Sequence, residues 1–188
     1  MPHIHTQPNQ HDMTVSAYII RHEDDEWKCL VHMHKKIDKL MQIGGHIELD
    51  QTPWQALVDE LREESGYMLE ELELLQPYEN VPQVGDAVVH PLPFLSNTHD
   101  VGDGHYHSDA CYGFIAYTEP KNSPSESESS DIRWLSRKEL ESAAKKGILL
   151  EDTADMYYFL LDNLESFHHV DPMKFSLEKP QKGITYKR

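Results

Sequence analysis

Apolar side chains crowd the stretch Thr14-Val15-Ser16-Ala17-Tyr18-Ile19-Ile20, which predicts a strand, and Asp24-Asp25-Glu26 behind it predicts a turn. Cys29-Leu30-Val31-His32-Met33-His34 then reads as the returning strand of a hairpin. Leu40-Met41-Gln42-Ile43 is a short strand that delivers the chain to Gly44-Gly45. Thr52 and Pro53 open a helix, with a hydroxyl for the cap and proline at the first helical position, where its missing N–H is harmless. In that helix Trp54, Leu57, Val58 and Leu61 fall on one side, and Glu60, Glu63 and Glu64 on much of the other. It is expected to run to about Ser65, with Gly66 as terminator.

Residues 69–75 and 87–95 are further strand candidates, the second interrupted by Pro91 and Pro93, and 110–117 is a strong one. The Ser/Glu/Pro-rich stretch 123–130 is expected to be a mobile loop. Ile132-Arg133-Trp134-Leu135 is short and extended; Ser136 caps a helix through Lys146 that Gly147 ends, and 152–168 forms a last amphipathic helix. Trp54 and Trp134 are assigned to the core. Strands and helices mix without a regular βαβ repeat, which points to a mixed sheet between helices. At 188 residues the chain suits one domain, read as 12–170, with a flexible segment 1–11 and a tail 171–188. The basic end of that tail, from Lys179 to Arg188, is expected to be poorly ordered.

Composition narrows the partners. With 17 basic against 33 acidic residues the formal charge is −16, which argues against a nucleic-acid polymer as partner. A small phosphorylated substrate stays open, because a cation held by acidic residues reverses the local sign. No apolar run approaches the roughly 20 residues that span a bilayer. Met1-Pro2-His3-Ile4-His5 lacks the basic and apolar regions of a secretory signal. Cys29 and Cys111 make no disulfide framework, so a cytoplasmic location is expected.

The sharpest chemical signal is the acidic helix face. Residues at i, i+3 and i+4 are neighbours on a helix, so Glu60, Glu63 and Glu64 converge on one small volume that suits a hard divalent cation. Like charges at those spacings repel, and the Gly44-Gly45 turn lets a backbone carbonyl approach an ion unobstructed. The plain alternative is a solvated acidic face. His105, His107 and Asp109 alternate and so share one face of a strand, and His32 with His34 repeats the pattern. These are hydrogen-bonding histidines of a half-buried sheet, ligands of a transition metal, or the wall of a substrate cleft. In the last case Asp109 orients a neighbouring histidine, while His46 and Glu48 face phosphates or metal.

The spacing from Gly45 through Glu60-Leu61, Glu63-Glu64 and Gly66-Tyr67 resembles the Nudix box, with two departures: Gln51 stands where the pattern has glutamate, and Asp59 where it has arginine. His34-Lys35-Lys36, Gly44-Gly45-His46-Ile47-Glu48, Val89-His90-Pro91-Leu92-Pro93, His105-Tyr106-His107-Ser108-Asp109 and 132–140 are similar to further family segments, so the resemblance covers about residues 12–142. It implies a Nudix-type α/β/α sandwich with a mixed β-sheet between helices. It also implies a hydrolase of a nucleoside diphosphate linked to another group, needing Mg²⁺ or Mn²⁺, acting on a small nucleotide-like substrate, with a homodimer left open. By the same resemblance Glu60, Glu63 and Glu64 hold the metal with the carbonyl of Gly44. The base is Glu60 or Glu63 from the helix, or Glu128 from the loop, where Glu126 is nearly as well placed. Asp59 adds a fourth negative charge to this face, and Arg62 leaves the helix at a different angle. Two outcomes are open: a differently supported hydrolase, or a nucleotide-binding protein that turns over weakly or not at all.

Overall fold

The computed structural model describes residues 7, 9–102 and 104–179. The chain runs β1 (His11–Glu23), β2 (Glu26–His34), β3 (Lys39–Met41), β4 (Ile43–His46), α1 (Pro53–Glu60), β5 (Leu72–Gln76), β6 (Leu95–Gly102), β7 (His105–Ala116), β8 (Ile132–Ser136), α2 (Arg137–Lys145), α3 (Glu151–Asp162) and β9 (His168–Val170). β1 and β2 form the expected hairpin, with Asp24 and Asp25 both at positive φ in the turn. All nine strands join one sheet, in the order β3-β2-β1-β7-β5-β9, with β4 on β1, β6 on β7 and β8 on β2. β1 and β7 run parallel and the other pairs antiparallel, so the sheet is mixed.

Alternation along the strands builds two cores. Val15, Ala17 and Ile19 of β1, with Leu30, Leu74 and Phe114, pack beneath Trp54, Leu57 and Leu61. Their neighbours Tyr18 and Ile20, with Cys29, Val31 and Ile115, pack beneath Leu140, Ala154, Tyr157 and Leu160 of α2 and α3. The sheet is thus covered on both faces, giving the α/β/α sandwich. Trp54 is fully buried, and Trp134 packs against the same core with the Arg21 guanidinium 4.3 Å from its ring centre.

Several boundaries differ from the sequence expectation. The strand expected over 87–95 starts only at Leu95, because Pro91 and Pro93 lack the N–H that a ladder needs; residues 87–94 carry no strand. Leu69–Glu71 is a 3₁₀ turn ahead of β5, and β7 begins five residues before the apolar run from Ala110. α3 ends at Asp162, and the chain then re-enters the sheet as β9. Past residue 170 it stays packed on the domain: Pro172 is buried, the Phe175 ring lies 6.1 Å from that of Trp54, and Gln55 Nε2 donates to the Leu177 carbonyl at 2.7 Å. The expectation for the basic end concerns residues beyond 179, and that for the amino-terminal segment mostly 1–6, which lie outside the described residues. Among the described residues no helix is long and apolar enough to cross a membrane.

Candidate active site

α1 begins as its sequence dictates. The Thr52 hydroxyl accepts from the Gln55 N–H while the Gln55 side chain accepts from the Thr52 N–H, a reciprocal cap at the turn where the chain enters the helix. Its last turn is different: Leu61–Ser65 widens into a π-helical turn, with the Ser65 hydroxyl bonded back to the Leu61 carbonyl, before Gly66 closes it at φ 77°. A widened turn changes which side chains align. Glu64 is swung inward to 5% exposure, whereas the Glu63 side chain stays 46% exposed and pairs with Arg62 at 3.1 Å. The three glutamates therefore do not share one face as an ideal helix would have them. Glu60 and Glu64 come together beside the glycine turn, and Glu63 stands at its rim.

β4 supplies the floor. Gly44 lies opposite Ser16 and Gly45 opposite Val15 on β1. Gly44 adopts φ 152°, and its N–H donates to Glu64 Oε2 at 2.9 Å. A Cβ on Gly45 would collide with the Glu60 carboxylate, so glycine is what allows that carboxylate to rest on the backbone. Burial pushes Glu60 up to about 7, reinforced by the carboxylates of Glu63, Glu128, Asp59 and Glu48. Burial and Glu60 push Glu64 up to about 9, which the Gly44 N–H only partly offsets. His32, behind Glu64 at 3.6 Å, is driven down to about 4 by burial and His34, with the Gln42 backbone offsetting part of this. At neutral pH it brings no positive charge.

The loop at 123–130 is held, contrary to the mobility expected from its composition. The Ser125 N–H donates to the Glu63 carbonyl at 2.8 Å, Lys35 Nζ to the Ser127 carbonyl at 2.6 Å, and the Asn122 carbonyl lies where a Cβ on Gly66 would be. These ties bring half-buried Glu128 close enough to act on both Glu60 and Glu64, while Glu126 is exposed.

The two departures from the box bond to each other. Gln51 Nε2 donates to Asp59 Oδ2 at 2.9 Å, and Gln51 Oε1 accepts the Glu48 N–H at 3.2 Å. Asp59 also meets Arg62 at 3.3 Å, and Arg62 meets Glu63. Asp59 is therefore not simply a fourth unpaired charge on the face: it ties the turn after β4 to the helix.

The histidine row lies on the other face of the sheet. Gly45 faces α1, so alternation turns its neighbour His46 away, opposite Thr14. There His46 Nε2 is 3.2 Å from His107 Nε2, and the His99 ring stands 5.5 Å from that of His107. Asp109 is buried and accepts from the Thr14 hydroxyl at 2.9 Å and the Cys111 thiol at 3.2 Å. It orients these groups rather than a histidine, which corrects the sequence expectation. Burial and His99 lower His107. His105, on the same strand, has a buried Nδ1 without a partner. Of the residues expected at the substrate, Glu48 acts on Glu60, while His105, His107 and Asp109 alternate along β7 on the opposite face of the sheet. His32, which the sequence marked only as part of a repeat, was findable: alternation from Leu30 puts it on the α1 face of β2.

Among the described residues no three His, Cys, Asp or Glu side chains already form a metal cage. The donors nevertheless fit a hard divalent cation. They are oxygens from Glu60, Glu64 and the glycine turn, with Glu63 and Glu128 at the rim, and Glu60 and Glu64 are the two that are buried.

A NUDIX domain profile matches residues 10–154. The fold is similar to that of a NUDIX-family hydrolase from Clostridium perfringens, with 27% identity, TM-score 0.63, and coverage of 81% of this chain and 97% of that one. It is also similar to the NUDIX domain of Shewanella oneidensis NrtR complexed with ADP ribose, with 16% identity, TM-score 0.58, and coverage of 82% and 88%. A third relative is a Caenorhabditis elegans Ap4A hydrolase, with 17% identity, TM-score 0.57, and coverage of 81% and 98%. No curated protein sequence matches significantly. With the profile spanning most of the chain and the glycine turn, helix and glutamates in place, the chain belongs to the Nudix hydrolase family, whose members act on nucleoside diphosphate derivatives.

Proposed function

We propose that this Nudix-type pyrophosphohydrolase cleaves the diphosphate linkage of a nucleotide or nucleoside diphosphate derivative with the help of Mg²⁺ or Mn²⁺. The observation that carries the reading is the burial of Glu60 and Glu64 over Gly44-Gly45, with the carboxylates of Glu63 and Glu128 acting on both. Glu60, Glu63, Glu64 and the Gly44 carbonyl are the groups that would hold the ion. When bound, it supplies positive charge for the diphosphate oxygens and the departing phosphate. A carboxylate takes the proton of the attacking water. Glu60, Glu63 and Glu128 are the candidates, Glu128 being favoured by its tethered loop. Glu48 stands on the phosphate side, and His46, His105, His107 and Asp109 are assigned to the nucleoside side of the substrate, since they line the opposite sheet face.

The test is product release from ADP-ribose, dinucleoside polyphosphates and nucleotide sugars in the presence of either metal. A monophosphate product that disappears in Glu64→Gln and in Glu63→Gln supports the reading; unchanged turnover in both removes the helix from the mechanism. The second reading, a nucleotide-binding protein with little or no turnover, is favoured by one observation: Asp59 leaves no guanidinium at the family's arginine position. Saturable binding of ADP-ribose without product would select it.

A further inference from the structure

Behind Glu64 sits a buried side chain that neither core packing nor the hydrolytic reading employs. His32 is 1% exposed, in line with Leu30 on the α1 face of β2. Its Nε2 lies 3.6 Å from Glu64 Oε2, and the Gln42 backbone acts on the ring, yet neither nitrogen reaches a well-formed hydrogen bond. Buried polar groups are almost always paired, and an imidazole whose nitrogens lack a well-formed hydrogen bond is worse there than a leucine or valine of the kind that fills the rest of this core. Packing alone does not account for it. Glu64 Oε2 already accepts the Gly44 N–H at 2.9 Å, so a small rotation of either side chain brings a second donor onto the same oxygen.

We propose that His32 is a positioning residue for Glu64, an imidazole that donates to the carboxylate from inside the sheet and fixes how it is presented at the Gly44-Gly45 turn. The inference rests on the reading that Glu64 serves a divalent cation. Groups that hydrogen-bond a ligating carboxylate set its orientation, and their loss weakens metal binding by about ten- to a hundredfold. His32 differs from Gly44 in that it acts from the core side and is replaceable without altering the turn.

The experiment is calorimetric titration of Mn²⁺ into the purified full chain and three variants, with melting of each in EDTA. A glutamine amide reaches roughly the position of the histidine Nε2, an asparagine amide that of Nδ1, and leucine neither. His32→Leu and His32→Asn are expected to weaken Mn²⁺ binding by about tenfold or more, and His32→Gln to stay within about threefold of wild type. In EDTA, His32→Leu is expected to melt at or above the wild-type temperature, which a purely structural histidine would not allow. Wild-type affinity in His32→Leu, or equal losses in the Gln and Asn variants, overturns the role. If the leucine variant does not fold, the Gln-against-Asn comparison decides alone. A wild type that binds no Mn²⁺ overturns the cation reading of Glu64 and this inference with it, whereas a wild type that binds while all variants match it overturns His32 only.

Discussion

Gly45 and His46 are adjacent in the chain and serve opposite faces of one sheet. On the Gly45 side two carboxylates are buried against backbone, repel each other, and carry raised pKa values. On the His46 side the polar groups satisfy one another: Asp109 with Thr14 and Cys111, His46 with His107, His99 with Asn97. The first surface gathers buried acids that protons or the proposed cation would neutralise; the second is largely closed on itself, His105 Nδ1 apart. The difference separates roles that the sequence had merged, because alternation sends neighbouring strand residues to opposite faces of the sheet.

The contrast breaks most easily on the carboxylate side. Glu64→Gln is expected to lower turnover by about a hundredfold or more, a magnitude typical of removing one preorganised electrostatic group. The same variant should keep or raise the melting temperature in EDTA, because the amide still accepts the Gly44 N–H and the cost of protonating a buried acid is gone. A fall in both quantities would mean that Glu64 is structural.

A pH series sharpens the same point. Glu60 and Glu64 have folded pKa values raised from 4.5 to about 7 and about 9, so the folded state holds protons that the unfolded chain has released. Their contribution is fully present below about pH 4.5 and is lost as pH rises through 7 and 9. Melting temperature in EDTA should therefore decline from pH 5 towards pH 9, and saturating Mn²⁺ should flatten the decline. Parallel curves with and without metal would place the cation elsewhere.

A smaller effect is expected at the paired departures. In Gln51→Glu a second carboxylate faces Asp59; in Asp59→Arg the Gln51 amide loses its acceptor. Each single change should cost about 1 kcal/mol of stability by denaturant titration, with the double variant recovering most of it. Additive losses would show that the two residues are not coupled.

The opposite face should answer most gently and in a different constant. His107→Ala is expected to raise KM several-fold with kcat nearly intact, the mark of an interaction made equally in ground and transition states. A loss confined to kcat would return His107 to the catalytic side.

How much of this was legible follows from particular residues. The Thr52-Pro53 cap, the β1–β2 hairpin and the two-faced sandwich were readable, because cap chemistry and alternating burial are written in local order. The widened turn at 61–65 was not: the glutamate spacing is the same for either helix type, and only the geometry separates Glu63 from Glu64. The start of β7 was legible from the alternation of His105, His107 and Asp109 rather than from apolarity, since the apolar run begins only at Ala110. The 123–130 loop looked mobile from composition, but its order comes from Lys35 and Glu63, far away in the chain. Gln51 and Asp59 each looked like a defect, and their mutual bond appears only once the turn folds against the helix.

The most direct measurement is Mn²⁺ titration of the wild type beside the double variant Glu60→Gln/Glu64→Gln, followed by the electron spin resonance of the free ion. Saturable binding by the wild type, weakened by about a hundredfold or more in the variant, is expected if these two carboxylates are a cation's resting place. Equal binding by the two proteins would contradict it.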